Sequence, residues 1–179
     1  AAAFSVAAIA NFTKKSVTAA SDLSESVNAI NVSFGSASEA VLKLGEDAAT
    51  SLGLSQTEFN NAAVRFSAFA NQVVGEGGNA ADFIDDISTR AADFASVFNI
   101  EVSEALQVFQ SGLAGEAEPL KRFGINLLQA EVDAYALRSG LIEVGETMTE
   151  QEKVQARYGL LMESTSKTAG DFANTSDGL

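Results

Sequence analysis

The chain has no cysteine, no histidine and no tryptophan, and a single proline, Pro119. Without cysteine there is no disulfide to staple the fold and no thiol to act as nucleophile or metal ligand. Without histidine, no imidazole serves as general base, triad member or metal ligand near neutral pH. Basic residues are scarce: 11 Lys and Arg stand against 24 Asp and Glu, a formal net charge of −13. That charge repels the dense phosphates of nucleic acid, and the adjacent basic pairs Lys14–Lys15 and Lys121–Arg122 lie in no basic surround. Long apolar runs are missing as well. FSVAAIANF, Phe4 to Phe12, falls far short of the ~18 residues a bilayer requires, and Lys14 follows closely. AAAFSVAAIA has no basic stretch ahead of it and so does not read as a secretory leader, and a start at Ala1 reads as a piece of a longer protein. What is present is 46% apolar residues in 179, enough for one domain with a real core, or a compact domain with a long extension.

The apolar residues repeat with helical spacing. Ala80, Ile84, Ile87, Ala91, Phe94 and Phe98 step by three and four, with Asp82, Asp85, Asp86 and Arg90 off the stripe. Phe59, Ala63, Phe66, Ala70 and Val73 do the same earlier, and Val102, Leu106, Phe109 and Leu113 later. No segment alternates with period two, which predicts an all-α fold without a sheet. SASE (Ser36 to Glu39) and SQTE (Ser55 to Glu58) fit capping boxes, and Ser103–Glu104 and TEQE (Thr149 to Glu152) mark further starts. Glycines fall where the stripes stop. Helices are predicted over 2–33, 37–51, 56–74, 80–98, 103–114, 119–123, 128–139 and 150–170.

This pattern divides the chain into a long N-terminal helix (1–34), a bundle of helical hairpins (35–140), and a linker with a C-terminal amphipathic helix (141–179). The first helix carries a thin seam, Ile9, Phe12, Ala19, Leu23 and Ile30, suited to a neighbouring helix or an identical copy. The middle helices are short and Phe-rich, as in antiparallel hairpins. As one continuous helix the chain would measure on the order of 270 Å, which the glycines and Pro119 prevent.

Catalytic chemistry has little to build on. Glu116 with Glu118, or Asp82 with Asp85 and Asp86, are the carboxylate groupings available for acid–base work or a metal. Their bland reading is a solvated helix face or charge placed at a helix N-terminus. GEGG (Gly75 to Gly78) lacks the Lys-Ser/Thr of a phosphate-binding loop and follows no strand, so it reads as an interhelical loop. Lys153 and Arg157, one turn apart behind Glu150 and Glu152, read as surface pairing. No enzyme activity, cofactor or metal site is expected.

One stretch gathers most of the special residues: SGLAGEAEPLKRFGINL, Ser111 to Leu127. Gly112 and Gly115 are expected to end one helix, Pro119 to open the next at a position where its missing N–H costs nothing, and Gly124 to end that single turn. Ile125 and Leu127 then return to the core. From the residues alone this is a tight structural corner or a docking surface. Its interaction candidates are Glu118, Pro119, Leu120, Arg122 and Phe123, with Phe123 equally suited to the core.

The same stretch resembles the signature corner of the tape measure proteins of long-tailed bacteriophages. There, Ser-Gly-Leu precedes Gly-Glu-x-Glu-Pro-Leu, a basic pair, an apolar residue and Gly-Ile. Two further segments follow in matching order: MTEQEKVQARYGLLMESTS (Met148 to Ser166) and GDFANTSDGL (Gly170 to Leu179). Upstream, NAINVSFGSASEAVLKLGEDAATSLGLSQTEF is similar to that family's helix entry, so the resemblance runs from about Ser24 to the end. Ala117 stands where Thr is frequent in the family, and Asn174 where Arg is frequent.

The resemblance implies a virion structural protein that fills the tail lumen, sets tail length, organises assembly at the tip and leaves before the DNA. It implies tail-tip or baseplate-hub, tail-tube and tail-assembly-chaperone partners, synthesis in the host cytoplasm, and host-membrane contact by other parts of the chain. Self-association in three copies, with six as the alternative, is the expected state, without stable DNA binding by this segment. A ruler needs constant rise per residue, which a glycine-punctuated bundle does not supply. The segment is therefore expected to be an anchor or plug at the tip, with the ruler in flanking helices. The competing readings are a secreted helical adaptor or toxin-delivery module and a carboxylate-only cell-wall hydrolase.

Overall fold

A computed structural model describes the backbone of residues 6–75 and 78–176, and side chains of 15–75 and 78–175. Helices α1 (Val6–Phe34), α2 (Ser38–Ser51), α3 (Gln56–Val74), α4 (Ala80–Phe98) and α5 (Val102–Ala114) form the first part of the chain. The single-turn α6 (Glu118–Lys121), then α7 (Gln129–Arg138), α8 (Glu150–Ser164) and the short α9 (Asp171–Ser176), complete it. Two 3₁₀ turns, Gly35–Ala37 and Ser166–Thr168, lie at α1–α2 and after α8. The fold is all-α, with no strand among the described residues.

The stripes converge on α3 and α4. Helix α3 touches α1, α2, α4, α5 and α8, and α4 touches α2, α3, α5 and α9. Phe59, Phe66, Phe83, Phe94 and Phe109 are all at most 2% exposed, and full burial of each such side chain stabilises the fold by ~1.5–3 kcal/mol. The rings meet at tilted or edge-on angles rather than stacked. Phe66 lies 6.3 Å from Phe83, which lies 5.3 Å from Tyr158 of α8. Phe94 stands at the centre of a second group, 4.5 Å from Phe98, 5.2 Å from Phe109 and 4.9 Å from Phe123. Edge-to-face pairs of this kind add ~0.5–1.5 kcal/mol beyond area burial.

The helix ends follow local chemistry. Ser55 and Thr149 each form a capping box with the glutamate three residues on, Glu58 and Glu152. Helix α4 closes on Asn99, at φ 52°, the one non-glycine residue with positive φ among the described residues. Its amide and that of Ile100 bond back to Ser96 and Ala95, the pairing that satisfies the last carbonyls of a helix.

Three expectations are corrected here. SASE forms no capping box. Ser36 lies inside the 3₁₀ turn, and the residues flanking the turn, Phe34 and Ser38, are right-handed helical, whereas an N-cap needs extended backbone. Helix α5 starts at Val102 with no side-chain cap, so Ser103–Glu104 is inside it rather than its start. The stretch 150–170 is not one helix. It ends at Ser164, and after Gly170, at φ 83°, the chain folds back along α4 as α9. The seam of α1 is described only in part: Ala19 is exposed, Leu23 half-buried and Ile30 fully buried, while the side chains of Ile9 and Phe12 lie outside the described residues. Residues 76–77 of the GEGG loop also lie outside them.

Candidate functional site

The corner between α5 and α6 is built by backbone geometry. Gly115, at φ 98°, closes α5: its amide bonds to the Gly112 carbonyl at 3.0 Å, and Glu116 N–H to Ser111 at 2.8 Å. That pairing is the Schellman motif, and it recurs after α6, where Gly124 bonds to Lys121 and Ile125 to Leu120. Gly112 does not end α5, contrary to expectation. It sits buried in the last turn, and a Cβ there would lie 2.5 Å from Cδ1 of Leu120 and 3.1 Å from Cδ1 of Leu127. Its missing side chain lets α6 and the following strand of coil press against α5.

The five interaction candidates separate by burial. Leu120 is fully buried, and Phe123 is half-buried, edge-on to Phe94 at 4.9 Å and Phe98 at 5.1 Å. Both pin the corner to the core. Pro119 is half-buried at the start of α6, and Glu118 and Arg122 face outward. Glu118 pairs with Lys121 one turn on. Arg122 reaches back to Glu104 of α5 at 2.6 Å, and its guanidinium covers the Phe123 ring at 4.5 Å. Exposed pairs contribute ~0–1 kcal/mol each, so they orient side chains more than they hold the fold.

Beside the corner lies an open groove of about 870 Å³ along the outer face of α5, walled by Arg65, Glu101, Gln107, Ser111, Pro119 and Arg122. It combines polar and charged walls without a buried titratable group, a shape suited to contact with a macromolecule rather than enclosure of a small substrate.

Sequence reasoning missed the residue that locks the corner from behind. Arg157 of α8 donates from Nη1 to the Leu113 carbonyl at 3.2 Å, and its guanidinium sits where a Cβ on Gly115 would meet it at 2.9 Å. Lys153 makes the surface pair expected, with Glu150 at 2.6 Å, but Arg157 turns inward. Only its place in the QARY stretch marked it. Asp93 was missed too. It is 5% exposed, and its carboxylate accepts Gly170 N–H at 2.8 Å and Phe172 N–H at 3.2 Å.

The carboxylate groupings lie on the surface of the fold. Asp82, Asp85 and Asp86 share an exposed face of α4. Burial, then repulsion from Asp86 and Asp82, raises the Asp85 carboxyl above its ordinary range. Glu116 and Glu118 are both exposed. Among the described residues no group of three or more acidic side chains is arranged to hold a metal ion, and no helix is long and apolar enough to cross a membrane. The largest displacement is at Tyr158, whose hydroxyl is pushed up to about 12, chiefly by burial and then by the charge of Asp86. Comparison with protein-family models, curated proteins and solved structures returns no match.

Proposed function

We propose that this chain is a folded segment of a phage tail tape measure protein, serving as an anchor or plug at the tail tip rather than as part of the ruler. The observation that carries the reading is that the stretches resembling that family fold into one unit, two of them in direct contact and the third docked on α4. Arg157, from the second stretch, closes on Gly115 and Leu113 of the first. Gly170 and Phe172, from the third, are held by Asp93 of α4. Motifs far apart in sequence that meet in one unit support a folded module with its own surface. The compact fold supports an anchor: as one rod, 145 residues from Gly35 to Leu179 would add ~220 Å, whereas the described residues among them double back in helices of 19 residues or fewer.

The exposed side of the corner, Glu118, Pro119 and Arg122 with the groove along α5, is the surface offered to the tip or to neighbouring copies. Leu120 and Phe123 set its shape from below. The test is quantitative mass spectrometry of purified particles of the phage that encodes the chain, before and after DNA ejection triggered in vitro. Peptides of this segment are expected in intact tails at a fixed low copy number, three by this reading, and missing from emptied tails. Their absence from intact particles overturns the proposal.

A further inference from the structure

Helix α9 lies at the C-terminal end of the described chain. It is six residues long, packs on α4, and is held at its start by the Asp93 carboxylate: Oδ2 takes Gly170 N–H and Oδ1 takes Phe172 N–H. Ser96 Oγ of α4 also donates to Thr175 Oγ1 at 3.3 Å. Phe172 is half-buried, its ring 3.5 Å from where a Cβ on Gly53 would stand. An open crevice of about 400 Å³ lies beside this contact, lined by Leu52, Thr89, Ala92, Asp93, Gly170 and Phe172.

The chain just ahead of α9 is secured without it. Thr165 Oγ1 donates to the Leu161 carbonyl and Thr168 Oγ1 to the Thr165 carbonyl, each at 2.8 Å, and both threonines are buried. These bonds are local to α8 and the 3₁₀ turn and survive departure of α9. The next residues, Ala169 and Gly170, are exposed, and Gly170 holds φ at 83°. The boundary between tied and releasable chain falls there.

We propose that α9 is a releasable strap that swings about Ala169–Gly170 while α1–α8 remain folded, with the Asp93 carboxylate as its catch. Opening withdraws Phe172 and uncovers an apolar notch floored by Leu52 and Ala92, which are 5% and 1% exposed in the closed form. The inference is independent of any role in a phage tail.

Amide hydrogen exchange on the full chain, followed across low urea concentrations, tests it. Strap amides from Phe172 to Thr175 are expected to exchange on the order of 100-fold faster than those of Ile87 and Ala91, with a weak urea dependence, as in sub-global opening. Asp93→Asn keeps the shape of the catch but gives up its charge-assisted bonds. It should speed strap exchange by on the order of tenfold or more and leave Ile87 and Ala91 unchanged. Phe172→Ala should produce the same selective acceleration from the other side of the strap. Wild-type strap amides that exchange at the rate and urea dependence of α4, or variants that both speed strap and α4 alike, would overturn it.

Discussion

Helices α1 and α4 make an instructive pair. Helix α1 is the longer, at 29 residues against 19. Yet α4 buries ten of its residues, while among the described side chains of α1 only Ser26 and Ile30 are buried. Every residue from Lys15 to Asp22 is exposed, about two turns or ~12 Å of helix. Helix α4 is held by neighbours on several sides and fixes the core. Helix α1 packs on α3 and α2 through its C-terminal half, where Ile30 is fully buried, Phe34 partly so, and Asn60 Nδ2 donates to Ser26 Oγ at 3.0 Å. Length says little about structural weight. Neighbours decide it.

The contrast can be broken first at its centre. Phe94→Ala empties the ring that touches Phe98, Phe109 and Phe123 and should cost ~3–5 kcal/mol in urea unfolding. Next comes the corner that α4 supports. Gly112→Ala pushes a methyl into Leu120 and Leu127 and should cost ~1–2 kcal/mol after its gain in helix propensity, read as a lowered thermal midpoint. On the α1 side, Ser26→Ala leaves the buried Asn60 amide without its acceptor, a loss of ~1 kcal/mol or more. Its signature should be faster hydrogen exchange in α1 with little change in α4.

A titration probes the α3–α4–α8 interior. Burial raises the Tyr158 hydroxyl to about 12 in the fold against 10.0 for a free side chain. The raised value means the folded state holds the proton longer. This contribution to stability is complete below about pH 10, and it is lost as pH rises from there through about 12. In a Tyr135→Phe chain, absorbance near 295 nm should therefore show Tyr158 ionising about two units later folded than in denaturant. The smallest effect belongs to the exposed stretch of α1, where Val17, 65% exposed, should tolerate Val17→Ala within ~0.5 kcal/mol.

Much of the fold was legible because periodicity and end signals agreed. The spacing of Phe59 to Val73 and Ala80 to Phe98 predicts 56–74 and 80–98, and the helices run Gln56–Val74 and Ala80–Phe98. SQTE and TEQE read correctly because Ser55 and Thr149 are extended, as capping demands. SASE misled because Gly35 turns the chain in a 3₁₀ step with no extended residue to act as cap. The C-terminal helix was overread because amphipathic composition persists across Thr165 to Ser176. The helix ends at Ser164, where Thr165 and Thr168 bond locally, and the return of the chain along α4 is held by Asp93, more than seventy residues away in sequence, which no local pattern encodes. At the corner, the glycines and Pro119 were visible, and Leu120 and Phe123 were drawn in with them. Their burial depends on Phe94, Phe98 and Gly112, contacts that composition does not reveal.

The most direct measurement of the central proposal is tail length and tip integrity by electron microscopy, in phage carrying an in-frame deletion of Gly35 to Leu179. A folded anchor predicts tails of unchanged length without tips, or no assembled tails at all. Tails with intact tips, shortened by ~220 Å at 1.5 Å per residue lost, would make the segment part of the ruler and contradict the anchor. Normal infective tails would contradict both roles.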